Sequence, residues 1–195
     1  MSPDATTRAG RKAANGRTAG LDPALLTSFH GVAYCHVPAD EPIRLERLVS
    51  ADGSDDRWNR PGEPTLYLAC DLAIAVAELG RHADLYPGMP PYRRRLLALS
   101  VAVDDLADLR RDEVRAAVGI DVAQLRDRDV ARDVAERLRR EPDCNGLIVP
   151  SVAFLDDPAR GNLVVFMDRF GAGIHDIHRG TADAGLIELR PAIAR

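Results

Sequence analysis

The sequence predicts a single α+β domain, and three patterns carry that prediction. Residues 146–154 (GLIVPSVAF) and 162–167 (NLVVFM) are unbroken apolar runs of strand length, the pattern of strands covered on both faces. Residues 72–79 (LAIAVAEL) are helix formers, apolar on every side until Glu78, the pattern of a buried helix. Residues 129–140 set Val130, Val134 and Leu138 on one face of a charged stretch, as in a helix that covers a core. A chain of 195 residues with 46% hydrophobic content has material for one substantial core, which argues against two independent domains.

In chain order, residues 1–22 are polar, basic and rich in Gly, Ala and Thr, with too little apolar surface to offset the entropy of ordering them. They are expected to form a disordered basic tail, and residues 23–195 the domain. Arg8, Arg11, Lys12 and Arg17 are read as solvating the tail. Aromatic and β-branched residues over 29–37 predict a first strand, ended by Pro38. Residues 50–64, dense in Gly, Asp, Asn and Pro, predict a loop. A short strand over 65–69 follows, whose alternation sends Tyr67 to one face and Leu66 and Leu68 to the other. Asp71 is suited to cap the helix over 72–79, and Gly80 to stop it. Residues 96–103 predict a strand and 112–118 a helix, before the amphipathic helix and the two apolar strands. No internal repeat is present.

Composition narrows the function classes. A formal net charge of -4 provides no general basic surface, so direct nucleic-acid binding is not expected. Of 26 basic residues only Lys12 is a lysine, so the cations are almost all rigid guanidinium forks suited to phosphate. Cys35, Cys70 and Cys144 stand far apart without a Cys-x-x-Cys pair, which fits a reducing cytoplasm and suggests neither a disulfide framework nor a zinc knuckle. No apolar run reaches membrane-spanning length and the N-terminus lacks the apolar core of a secretory signal, so no membrane association is expected.

The most informative segment is RWNRPGEPTLYLACDLAIAVAEL, residues 57–79. Singly, its parts have structural readings: Trp58 as an anchor, Pro61 and Gly62 as turn formers, Tyr67 as a strand aromatic. Together they gather an arginine beside a tryptophan, a half-buried tyrosine and a glutamate in an apolar helix around one end of a small sheet. A carboxylate in apolar surroundings is costly unless paired, and groups held at that cost are often functional.

The run RWNRPGEPTLYLA, the helix ending in AEL, the stretch DDLADLRRDEVRAAVGID, the motif GLIVPS and the closing GNLVVF resemble, in order and spacing, the RES domain family, named for Arg, Glu and Ser. The resemblance spans roughly residues 29–167. It implies an ADP-ribosyltransferase-like fold of two small, packed mixed sheets with helices around an NAD-holding cleft. It implies a NAD-degrading toxin held in check by an Xre-type helix-turn-helix antitoxin. Carried over residue by residue, Arg57 matches the arginine before the tryptophan, Tyr67 the nicotinamide-side tyrosine, Glu78 the catalytic glutamate and Ser151 the serine. The family's first strand usually carries a Tyr-Arg pair. Here Tyr34 is followed by Cys35, which supplies neither charge nor fork, and His36, Arg44 and Arg47 are the nearest candidates for a phosphate contact.

These residue types suit cleavage of the nicotinamide–ribose bond. The leaving group is already a cationic pyridinium and needs no proton, so one carboxylate suffices where ordinary glycosidases need two. Glu78 would stabilise positive charge developing on the ribose, Ser151 would orient it, Arg57 would grip a phosphate, and Tyr67 would offer a flat face to the ring. NAD is then the substrate, with phosphate, water or a protein side chain as acceptor and no metal required. NAD loss by phosphorolysis or hydrolysis ranks first, transfer of ADP-ribose to protein second, and an inactive domain that only binds, suggested by Cys35, third. Weaker readings are a metal site at His175 and His178, where Gly171 and Gly173 point to a loop, a hydrolase triad using Ser151 without the Gly-x-Ser-x-Gly elbow, a nucleophilic Cys35, and a nucleic-acid patch at Arg93, Arg94 and Arg95.

Overall fold

A computed structural model describes residues 21–50, 53–84, 92–154 and 156–189. Its strands are β1 (Leu26–Pro38), β2 (Thr65–Ala69), β3 (Tyr92–Asp108), β4 (Gly146–Pro150), β5 (Gly161–Phe166) and β6 (His178–Leu189). Its helices are α1 (Leu72–Asp84), α2 (Asp112–Val118), α3 (Arg128–Arg139) and α4 (Ile174–Ile177), with 3-10 turns at Leu45–Leu48 and Gln124–Arg126 among others.

The strands form one mixed hydrogen-bonded network with two halves, β1-β3-β6 and β2-β5-β4. A single β1–β2 register point, Tyr34 opposite Ala69, joins the halves on one side. On the other side Leu106–Asp108 of β3 run parallel to Gly146–Ile148 of β4. Long β3 serves both halves by bending. Its register against β1 jumps between Phe29 opposite Val103 and Thr27 opposite Leu106, so Asp104 and Asp105 bulge out, and Asp105 takes a left-handed φ of 60°.

Alternation along the strands sorts the core into layers. Leu66, Leu68, Leu163, Val165 and Ile148 point between the halves to meet Ala33, Leu97, Leu99 and Val101. Tyr67, Val164, Phe166, Leu147 and Val149 point the other way, under Val114 of α2 and Val134 and Leu138 of α3. Each such buried aliphatic side chain contributes about 1.5–3 kcal/mol. The glycines that open GLIVPS and GNLVVF are required by close approach. A Cβ at Gly146 would lie 2.3 Å from the Val164 carbonyl oxygen, and one at Gly161 2.9 Å from that of Val149.

The opposed faces of Tyr67 and Leu66/Leu68, the helix over 112–118 and the Asp71 cap are as expected, the last through a 2.9 Å bond from the Ile74 amide. Other expectations are corrected. Helix α1 does not stop at Gly80 but runs to Asp84, and it is not buried all round: Leu72 and Val76 are 39% and 40% exposed while Ile74 and Leu79 pack inward. The apolar run 146–154 is strand only as far as Pro150, after which the chain turns at Ser151. The region of His175 and His178 is not a loop but α4 leading into β6, zipped along β3 from Tyr92 to Val101. Of the expected tail, residues 1–20 lie outside the described residues; Leu21 packs on the core and Asp22 caps a 3-10 turn.

Candidate active site

The halves, α1 and the loop over 53–64 enclose a cleft of about 750 Å³ whose wall includes Tyr34, Cys35, Arg57, Tyr67 and Glu78. Its size is in the range of small-molecule and cofactor sites. The local sequence explains how each side chain arrives there.

Glu78 lies on the second turn of α1, near buried Ala75 and Leu79 in the helix, and its carboxylate is delivered at the end of the sheet where β2 finishes and β5 begins. Ser151, fully buried just past β4, donates from Oγ to Glu78 Oε1 at 2.6 Å. Asn162 on β5, opposite Ala69 of β2, donates from Nδ2 to the same oxygen at 3.2 Å. Both donors use Oε1. Oε2 has no hydrogen-bond partner among the described residues. Ser151 in turn accepts from the Ala153 amide at 3.2 Å and does not itself line the cleft.

Arg57 is half-buried, and its guanidinium donates to the carbonyls of Arg126 at 2.9 Å and Leu125 at 3.3 Å. Burial, followed by the charges of Arg81 and Arg128, lowers its pKa from the ordinary arginine value, and it remains cationic near neutrality. Glu78 acts on it in the opposite sense. Tyr67 accepts the Trp58 amide at 3.1 Å and donates to Asn59 Oδ1 at 2.7 Å, while burial raises its pKa. Its hydroxyl is thus committed to the loop. Of the four residues expected to act together, only Glu78 and Ser151 are directly bonded; Arg57 and Tyr67 form a wall beside them.

Cys35 packs toward the layer between the halves, and burial pushes its thiol up to about 12, so it is no thiolate near neutrality. Positive charge reaches the cleft by other routes. His36, Arg44 and Arg47 all line it, as do Arg81, Arg94 and Arg128. Within the arginine run 93–95, Arg94 donates to His36 Nδ1 at 2.9 Å, and Arg95 donates to the Ala39 carbonyl at 3.2 Å. His175 and His178 do not converge, since His175 pairs with Glu46 and His178 with Thr181.

Sequence reasoning missed two groups. Asn162 gives its signal only as a polar residue at the start of an apolar strand, and its task depends on the β2–β5 register. Arg132 looked like one more charge on α3, yet it is 9% exposed, donates to the carbonyls of Asp56 at 2.9 Å and Asp55 at 3.0 Å, and pairs with the Asp55 carboxylate at 2.7 Å. It fixes the loop that presents Arg57.

The structure is thus an α+β domain with an arginine-lined cleft between two sheet halves, in which Glu78 is oriented by two hydrogen bonds to one of its oxygens. The chain belongs to the RES domain family, whose profile matches residues 38–183. That span includes Arg57, Tyr67, Glu78, Ser151 and Asn162 and begins just after Tyr34 and Cys35. The fold is similar to that of a chain in the crystal structure of the M. tuberculosis MbcT-MbcA toxin-antitoxin complex. The TM-score is 0.59 at 20% identity, over 81% of this chain and 86% of that one. No curated protein sequence matches the chain significantly.

Proposed function

We propose that this protein cleaves the nicotinamide–ribose bond of NAD and acts as the toxin of a toxin–antitoxin pair. The observation that carries the reading is the geometry of Glu78: one oxygen is fixed by Ser151 and Asn162, and the other is left for a ligand in the cleft. A carboxylate oriented before substrate arrives stabilises charge without the cost of reorganising during the reaction.

In this reading nicotinamide departs from the ribose with the bonding electrons and becomes neutral. Positive charge grows on the ribose, and Glu78 faces it. Arg57, braced by two backbone carbonyls, presents its remaining donors to the pyrophosphate. The Tyr67 ring, fixed by its hydroxyl, is a flat wall for nicotinamide. The lost arginine at Cys35 does not favour an inactive domain, because the cleft has other arginines. Phosphate or water as acceptor depletes NAD; a protein acceptor would be revealed by label from adenine-labelled NAD appearing on protein.

The toxin role rests on family membership and on the similarity to a chain from a toxin–antitoxin complex. The expected partner is an Xre-type antitoxin that covers the cleft. The test is nicotinamide release from NAD by purified protein freed of any partner, with and without phosphate. Glu78→Gln is expected to lower release by about 10³-fold, within the range for a positioned catalytic group. Unchanged release from that variant would end the assignment.

A further inference from the structure

Building on the NAD-cleavage reading, we propose that Asn162 binds substrate as well as bracing Glu78. Its side-chain carbonyl accepts a hydrogen bond from a hydroxyl of the nicotinamide-bearing ribose, so the cleft selects a sugar that carries its full cis-diol.

The hydrogen bond that Asn162 makes fixes what it has left to offer. A carboxylate oxygen accepts and does not donate, so the atom 3.2 Å from Glu78 Oε1 is the amide Nδ2, and Oδ1 faces elsewhere. Oδ1 has no hydrogen-bond partner among the described residues, yet it is not one of their fully buried unpartnered atoms, so it is open to solvent. The opening is the cleft. At this residue β5 is flanked by Ala69 of β2 and Val149 of β4, so the backbone is enclosed in the sheet and the side chain is what lines the cleft. Two residues on, Val164 lies opposite Tyr67 and shares its layer, so alternation sets Asn162, Ala69 and Tyr67 on one face. Asn162 and Tyr67 are diagonal neighbours there, about 7–8 Å apart.

The carboxylate and the amide thus leave two acceptors, Glu78 Oε2 and Asn162 Oδ1, tied together because Nδ2 donates to the other oxygen of the same carboxylate. Two acceptors call for two donors. Near the bond that breaks, the donors of NAD are the two hydroxyls of the ribose and the carboxamide of the ring. The carboxamide belongs to the ring that lies on Tyr67, whereas the cis-diol belongs to the sugar whose charge Glu78 faces. A site built to accept from a hydroxyl rejects a substrate that lacks it, because the acceptor is then left without a partner. Ser151 has no such second role: its hydroxyl is committed to Glu78 and the Ala153 amide, and it does not line the cleft. It is therefore the reference for a residue that acts through Glu78 alone.

The test compares kcat/KM for nicotinamide release by the full chain from NAD and from two analogues that lack the 2′- or the 3′-hydroxyl of the nicotinamide ribose. The intrinsic reactivity of each analogue cancels when its ratio to NAD is compared between proteins. Asn162→Ala is expected to reduce the preference for NAD over one of the analogues by about tenfold or more. Asn162→Ser, whose hydroxyl ends short of the amide oxygen, gives the same comparison if the alanine variant does not fold. Ser151→Ala is expected to slow all three substrates alike and to leave both ratios within about threefold of the native ones. Ratios that Asn162→Ala leaves unchanged, or that Ser151→Ala shifts equally, would overturn the proposal by confining Asn162 to bracing Glu78. A lost preference for NAD over its nicotinic acid counterpart, with the hydroxyl ratios intact, would overturn it in favour of a carboxamide contact. Each of these outcomes leaves the cleavage reading standing; release of nicotinamide from none of the substrates by the native protein defeats that reading and this inference with it.

Discussion

The Ser151 hydroxyl, with no solvent exposure, donates to Glu78 Oε1 at 2.6 Å across 73 residues of sequence. Because it touches Glu78 and does not line the cleft, its effect on chemistry must pass through the carboxylate. Ser151→Ala is expected to lower kcat for nicotinamide release by about 10–100-fold with KM nearly unchanged, less than loss of the carboxylate itself. Asn162 shares the same oxygen, so Ser151→Ala and Asn162→Ala combined should cost less than the product of the single effects. Steady-state kinetics of the four proteins decide this; a strictly multiplicative double variant would show that the two donors do not act on one group.

Arg132 provides a second test, at a distance from the carboxylate. Its guanidinium bonds to the Asp55 and Asp56 carbonyls, and Arg60 ties the same loop to Glu136 at 3.1 Å and Asp133 at 2.6 Å. Between these straps lie Arg57 and Trp58, the chain's single tryptophan and 4% exposed. Arg132→Lys keeps charge but loses the fork. It is expected to raise KM about fivefold or more with a smaller change in kcat, to shift Trp58 emission to longer wavelength, and to cost roughly 1–3 kcal/mol of stability. A KM at the native value together with altered emission would show that the loop's placement does not govern substrate binding.

How much of this was legible in the sequence depended on whether a signal was local. The strand holding Tyr67 and the cap at Asp71 follow from alternation and from one side chain, and both can be read directly. Strand β6 could not be read: HRGTADAGLIEL has two glycines and an aspartate, and it holds as a strand because it is zipped to β3, with Leu186 left 53% exposed. The end of β4 at Pro150 was hidden because VAF continues the apolar run, while the backbone turns there to aim Ser151 at Glu78. Asn162 was quoted within a motif, but its task exists only once β5 is registered against β2. The helix α1 passes Gly80 because a glycine costs a helix only about 1 kcal/mol, which packing of Ile74 and Leu79 outweighs.

Two thiols make stability depend on alkaline pH. Burial pushes Cys35 up to about 12 and Cys70 to about 11, whereas unfolded cysteine titrates near about 8.5. Between those values the unfolded chain loses protons that the folded chain keeps, so the unfolded state binds fewer protons and stability falls as pH rises. The contribution is intact below about pH 8 and declines from about pH 9 upward, by at most about 1.4 kcal/mol per pH unit for each thiol. Urea midpoints at pH 8 and 10.5 should therefore drop for the native sequence and drop less for the Cys35→Ala, Cys70→Ala protein. Equal slopes would show that neither thiol is shielded.

The bend in β3 is the last point at which a single residue bears on the whole fold. Asp105 holds a left-handed φ of 60°, its carbonyl accepts the Asn145 amide at 2.9 Å, and immediately beyond it Leu106–Asp108 leave the first half to pair with β4. Because Asp105 is exposed, a substitution there changes backbone preference with little change in packing. Asparagine tolerates this region about as well as aspartate, so Asp105→Asn should stay within about 0.5 kcal/mol of the native stability. A β-branched residue is crowded there, and Asp105→Val should cost about 1–2 kcal/mol, a fall in Tm of roughly 2–8 °C for a chain of this size. Thermal melts of the two variants are the measurement. If valine melts with asparagine, the left-handed residue is not what bends β3, and the handover between the halves must be driven by the β4 pairing itself.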